Sequence, residues 1–337
     1  MSKFSSLRFA SRRGFLLSGC AAGGVGLAAV LARFRKRTPA ENAFANDLTT
    51  FSKLDPKLLQ YDQTAKFKPA RPETRRIGLS GNGSLLLAAG NYVSTLDVSG
   101  VLLRELALPE TVRCVASAAD GTLFVGLRDR IEVFAENGRR SSWVSPGKRS
   151  WFTGLAAGDN DLFVADAGER VVLRFDRTGK FVGKIGEKDP SRHRPGFVVP
   201  SPYFDVELHQ DGLLRVTNPG RHQIETYTVD GELEQAWGRA SAAIDAFCGC
   251  CNPINIALFS DGRVVTCEKG VPRVKVYQAA GQLESVVAGP ESFLENSTAS
   301  HRDDSVGGLD AVVDRTGRIF VLDLVANTVA LFEKKNS

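Results

Sequence analysis

Methionine is almost missing from this chain, at one residue in 337. Tryptophan (3) and histidine (4) are nearly as scarce, and phenylalanine supplies most of the aromatic content. The common catalytic signatures are missing too: there is no G-x-S-x-G nucleophile turn, no H-E-x-x-H pair and no phosphate-binding glycine loop. Their absence excludes the enzyme classes those patterns define. Surplus charge is missing from most of the chain. The formal total is +5, but residues 1–45 carry Lys3, Arg8, Arg12, Arg13, Arg33, Arg35, Lys36 and Arg37 against Glu41 alone. That segment holds +7, which leaves −2 for the rest. A nearly neutral body gives no electrostatic footprint for a nucleic acid. What remains is ordinary globular composition, 43% hydrophobic and 24% charged, with enough chain for one large domain or two small ones.

The chain begins MSKFSSLRFASRRGFLLSGCAAGGVGLAAVLARF. Arg12 and Arg13 precede a weakly apolar Gly/Ala-rich run from Gly14 to Ala32. Ser11 to Leu16, SRRGFL, resembles the twin-arginine export signal. The resemblance implies a bacterial or archaeal protein that folds before crossing the membrane, a route often taken by proteins with inserted cofactors. The run is long enough to span a bilayer if retained, and Ala43 to Ala45 fits a small-x-small cleavage site. Cleaved and membrane-anchored forms both fit. Leu17 to Cys20, LSGC, has the form of a lipoprotein box but lies too close to the arginine pair. The expected location is the periplasm or the outer side of the cytoplasmic membrane, where disulfides are permitted. The export machinery is then a partner, and contact with the membrane is confined to the N-terminal segment.

From Arg76 onward one unit recurs six times. The copies begin RIGLSGNGSLLLAAG, VRCVASAADGTLFVG, FTGLAAGDNDLFVAD, YFDVELHQDGLLRVT, INIALFSDGRVVTC and GLDAVVDRTGRIFVLD. Each has an alternating strand, a tight turn, an apolar strand, a polar turn and further strands. Gly83, Gly121, Gly212, Gly262 and Gly317 mark the first turn, with Asp159-Asn160 in the third copy. Four short strands per unit, repeated at this spacing, is the pattern of a propeller. The units containing ADAGERVVLRFDRTG and PINIALFSDGRVVTCEKGVPRVKVY resemble NHL repeats. The resemblance implies an all-β, six-bladed NHL-like propeller over residues 71–337, with 1–45 as signal or anchor helix and 46–70 as linker and closing strand. The last unit stops after its third strand. Lys57 to Pro69 is therefore expected to complete it, because an open sheet edge is a liability.

Propeller topology sorts the loops by face. The loops joining consecutive blades share one face with the turns between second and third strands, and the glycine turns lie on the other. Three inter-blade loops are long: Glu187 to Pro202, Arg239 to Pro253 and Gly289 to Gly308. They carry His193, Arg194, Tyr203 at the end of the first, and His301, Arg302, Asp303 and Asp304. His222 joins them from a second-to-third-strand turn. This loop-rich face is where a protein or small-molecule partner is expected, and the arginines are compatible with an anion. Asp166, Asp323 and Asn218 hold equivalent turn positions and are read as turn caps. His209 belongs to the opposite face and Cys114 to the core.

Phe247 to Pro253, FCGCCNP, holds Cys248, Cys250 and Cys251, and Cys267 follows. In the NHL-like register the trio stands at the channel mouth and Cys267 takes the turn position of the same blade, so all four are expected to be neighbours. A structural disulfide, a thiolate metal or iron–sulfur site, a redox-active pair at Cys250-Cys251, and inert thiols all remain open. Three functions follow. One is an exported propeller binding a partner or ligand on the loop-rich face, accessory to a periplasmic redox system. The others are a metal-dependent propeller lyase or hydrolase using His193, His222 and His301, and an electron-transfer protein built on the cysteines.

Overall fold

The computed structural model describes residues 53–192, 195–293 and 308–336. The expectations for residues 1–45, including Arg12 and Arg13, lie outside that range, as do His193, Arg194, His301, Arg302, Asp303 and Asp304.

Among the described residues 24 strands form six four-stranded antiparallel sheets. The first blade comprises β2 (Thr74–Leu79), β3 (Leu85–Ala89), β4 (Tyr92–Leu96) and β5 (Leu102–Ala107). The second comprises β6 (Cys114–Ser117), β7 (Leu123–Gly126), β8 (Arg130–Phe134) and β9 (Arg140–Val144). The third runs β10 (Phe152–Ala157), β11 (Asp161–Asp166), β12 (Val171–Asp176) and β13 (Phe181–Ile185). The fourth runs β14 (Val206–Leu208), β15 (Leu213–Asn218), β16 (Gln223–Thr228) and β17 (Leu233–Trp237). The fifth contains β18 (Asn255–Leu258), β19 (Val264–Cys267), β20 (Val274–Tyr277) and β21 (Leu283–Ala288). The sixth takes β22 (Leu309–Val313), β23 (Ile319–Asp323) and β24 (Thr328–Lys334) from the C-terminus and β1 (Tyr61–Phe67) from upstream of the first blade. Tyr61 pairs with Lys334 and Phe67 with Val329.

Local chemistry sets the hairpins. In the last blade Asp314 Oδ1 accepts hydrogen bonds from the amides of Thr316 and Arg318 at 2.9 and 3.0 Å. Gly317 then turns the chain at φ 84°, a left-handed conformation that costs glycine little and a β-branched residue much. The second-to-third-strand turns use the same device: Asp166 Oδ1 accepts the amides of Trp151, Gly168 and Glu169. Asp323 caps Val325 and Ala326 likewise.

In the first blade β3 is buried throughout, while β5 is mostly exposed. Each blade packs on the next through its own apolar wedge, and the six clusters occupy the six interfaces. Between the second and third blades, Trp143 lies 5.6 Å from Phe124 and 6.2 Å from Phe175, centroid to centroid, within the range of favourable aromatic pairing. The wedges tie the blades into a ring, whose axis passes between the six inner strands.

Candidate functional site

The inner strands place unlike residues around the axis. Near their starts stand Arg76, Cys114, Gly154, Asp205, Asn255 and Asp310, one per blade. The Arg76 guanidinium donates to Asp205 Oδ1 at 2.7 Å and to Asn255 Oδ1, and its Nε lies 3.4 Å from Asp310 Oδ2. Both aspartates are buried, and backbone amides complete them. Asp205 Oδ2 accepts from Ile256, while the two oxygens of Asp310 accept from Ile77 and Ala311. Asn255 donates to the Leu309 carbonyl at 2.8 Å. One arginine thus joins the first, fourth, fifth and sixth blades. Glycine is needed at 154, because a Cβ there would overlap Asp205 Oδ1.

Acids outnumber bases in this ring, since Glu207 also faces the channel. Burial pushes the Asp310 carboxyl up, Arg76 opposes and Asp205 adds, leaving it at about 6. Burial likewise raises Glu207 well above the ordinary range, with Asp205 and Asp310 adding and Arg76 opposing. Cys114, buried beside Arg76, is pushed up to about 12 and is an inert thiol of the core.

Arg76 lines a cavity on either side of it. On the glycine-turn side a space of about 330 Å³ is bounded by Glu207, His209, Ser260 and Arg315, among others. His209 is held there by Asp211 at 3.1 Å. On the loop-rich side a cavity of about 150 Å³ is lined by Arg75, Arg113, Trp151, Thr153, Tyr203 and Asn255. Trp151 is flanked by cations, with the Arg113 guanidinium 3.4 Å from its ring centroid and Arg128 at 5.4 Å. Stacking of this kind holds a guanidinium flat while leaving its edge free to donate. Burial lowers the Arg113 pKa, and Arg75 and Arg128 lower it further. Among the described residues no carboxylate forms an ion pair with any of these three arginines, although most other arginines have one.

Beside this mouth lies the cysteine loop. Cys250 is exposed, Cys248 intermediate and Cys251 buried, and all are thiols. Cys250 and Cys251 bring their Sγ atoms to 3.2 Å, and the Ser201 hydroxyl donates to Cys251 Sγ at 3.2 Å. Tyr203 stands next to them, its phenol pKa raised by burial and by Cys251, with Lys269 Nζ 5.0 Å above its ring. Cys267 occupies the expected turn position, but its side chain is fully buried in the wedge between the fifth and sixth blades. Burial, Asp310 and Asp205 raise its pKa, so it belongs to the ring's surroundings and not to the exposed loop. No group of three or more His, Cys, Asp or Glu among the described residues is arranged to hold a metal ion.

Of the other residues expected on this face, Tyr203 lines the cavity. His222, buried and left-handed at φ 59°, reaches the Gly249 carbonyl with Nε2 at 2.7 Å and so steadies the cysteine loop. Sequence reasoning missed Arg75, Arg113, Arg128 and Trp151, as well as the ring of Arg76, Asp205, Glu207, Asn255 and Asp310. A signal existed. In the aligned unit starts RRI, FDV, INI and LDA, a polar residue stands at the middle position where a buried strand would be apolar.

Fold and site define a class: a six-bladed β-propeller with a charged channel ring and a cationic mouth. No family model matches the chain, and no curated protein matches it. Among solved structures it is similar to a streptogramin B lyase, with 13% identity over 83% of this chain and 100% of that one, at a TM-score of 0.57. It is also similar to virginiamycin B lyase from Staphylococcus aureus, with 12% identity, coverage of 82% and 100%, and a TM-score of 0.56. A third, a catalytically inactive histidine-to-alanine variant of that lyase with quinupristin, gives 13%, 80% and 83%, and 0.55. Likeness at this identity shows the fold, and a propeller hosts many functions.

Proposed function

We propose that this protein is an exported propeller that binds a small anionic ligand, one bearing a carboxylate, sulfate or phosphate group, at the mouth of its channel on the loop-rich face. The observation that carries the reading is a cavity of about 150 Å³ lined by Arg75, Arg113 and Trp151, with Arg113 and Arg128 flanking the Trp151 ring and no described carboxylate paired with any of the three arginines. Like charges held together lower one another's affinity for the proton, and a bound anion relieves the repulsion. The tryptophan face and Tyr203 add apolar surface for the rest of such a ligand. The twin-arginine pattern at Ser11 to Leu16 supports action outside the cytoplasm. An accessory role beside a periplasmic redox system rests on that pattern together with the thiol loop.

The test is calorimetric titration with inorganic phosphate, sulfate and a series of aromatic carboxylates at low ionic strength. At least one of them should bind, and Arg113→Ala should weaken it about tenfold or more, the loss expected for one charge-assisted contact. Absence of binding by every anion, or equal affinity in the variant, would overturn the reading.

A further inference from the structure

The loop from Arg239 to Pro253 is fastened by an unusual number of buried polar groups. Glu268, Arg273 and Lys275 are almost completely inaccessible. Arg273 and Lys275 each contact a different oxygen of Glu268, both at 2.7 Å. Burying three charges is costly, and replacement by apolar residues is often neutral or better for stability. Their contacts point to the loop. Lys275 Nζ donates to the carbonyls of Ile244 and Ala246 at 3.0 and 2.8 Å, and Glu268 Oε2 accepts the Cys248 amide at 3.4 Å. Asn252 donates to the carbonyls of Cys248 and Lys269 and accepts the Lys269 amide. His222 takes the Gly249 carbonyl. Every anchor falls on the backbone flanking Cys250-Cys251, so that pair is presented by a held segment.

The two thiols also differ. Cys250 is exposed and Cys251 is buried, yet their sulfurs lie 3.2 Å apart. Ser201 donates to the buried sulfur at 3.2 Å and so holds it in place beside Cys250. We infer that Cys250 and Cys251 form a dithiol–disulfide pair that exchanges with a disulfide-bearing partner, Cys250 as the attacking thiol and Cys251 as the resolving one. The Cys250 thiolate attacks one sulfur of the partner's disulfide, forms a mixed disulfide and expels the partner's other sulfur as a thiolate. Cys251, after losing its proton to solvent, attacks the Cys250 sulfur and expels the second partner thiolate. Two electrons pass from the pair to the partner, and the two protons released by the cysteines end on the partner's thiols. A disulfide between adjacent residues closes a small ring through one peptide bond. It is strained and therefore readily reduced, as exchange in the reverse direction requires. Cys248, Cys114 and Cys267 take no part.

The inference is independent of the anion site, and its test uses no anion. Reduced full-length protein is equilibrated in glutathione buffers of increasing oxidation, quenched in acid, denatured, alkylated and mapped by mass. Cys250 and Cys251 should lose alkylation together, in one peptide lighter by two hydrogens, while Cys248, Cys114 and Cys267 stay alkylated. Cys251→Ser should accumulate a glutathione adduct on Cys250, and Cys250→Ser should not form one on Cys251. Circular dichroism verifies that both variants keep the native fold. The inference is overturned if the pair stays alkylated throughout, if Cys248 supplies the bridge, if Cys251→Ser traps no adduct, or if the purified protein holds one metal ion per chain on these thiols.

Discussion

Arg76 is the residue on which the channel turns. Its side chain faces two buried aspartates and an asparagine from three other blades, and it is the counter-charge for Asp205, Asp310 and Glu207. An excess of acid in a buried ring makes stability depend on pH. The Asp310 carboxyl sits at about 6 in the fold against an ordinary 3.8. Between those values the folded state holds a proton that the unfolded chain has released, so the Asp310 contribution is full below the lower value and is lost as pH rises through the upper one. Asp310→Asn removes that component. Urea midpoints of the two proteins, compared from about pH 4 to about pH 7, should therefore diverge across this window, with the wild type losing stability relative to the variant. Parallel curves would show that Asp310 does not titrate there.

At the scale of elements, β1 and the cysteine loop illustrate different physics. The strand β1 is exposed over most of its length. It buries little, and its contribution lies in the hydrogen bonds that cover the edge of β24. Deleting residues 55–70 removes β1 together with the bridge from Leu59 to Val286. The last blade is then left three-stranded, next to the first blade. Thermal unfolding followed by circular dichroism should lose its single sharp transition. An unchanged melting curve would mean that the wedge between the sixth and first blades, around Phe320, Leu322 and Leu87, holds the ring alone. The cysteine loop is the reverse case. Its own backbone hydrogen bonds are confined to Arg239–Phe247, and from Ile244 through Cys248 side chains of the fifth blade add what a strand partner would otherwise provide.

Over the whole molecule, the part legible in the sequence was the part made by local rules. Gly83, Gly121, Gly212, Gly262 and Gly317 all have positive φ, and a turn that demands such a backbone marks itself by residue type. Alternation in RVVLRF and RVKVY marks β12 and β20 as strands, but it does not leave one face open: β20 is buried on both faces, with Lys275 and the preceding Arg273 held inside by Glu268. Six blades follow from counting these marks, as do the buried Cys114 and the turn-capping role of Asp166. Cys267 shows the limit of such reasoning. Its position in the turn was readable, but not the direction of its side chain, which goes into the wedge beside Asp310. The arginines of the mouth were invisible for a related reason: Arg75, Arg113 and Arg128 lie on the first and second blades, far apart in the chain, and only the packing of successive blades brings Arg113 and Arg128 against Trp151 with Arg75 near Arg113.

By itself the sequence determined the repeating unit, the number of blades, the placement of the tight turns and the density of thiols in one loop, because each depends on residues close together in the chain. The tertiary structure alone decided that Arg76 meets Asp205, Asn255 and Asp310, that Arg113 and Arg128 of the second blade flank the Trp151 ring, and that Cys267 turns into the wedge between the fifth and sixth blades. These are contacts between blades. They arise where inner strands converge on an axis, and their partners are chosen by the geometry of the ring and the need of every buried charge for an opposite one.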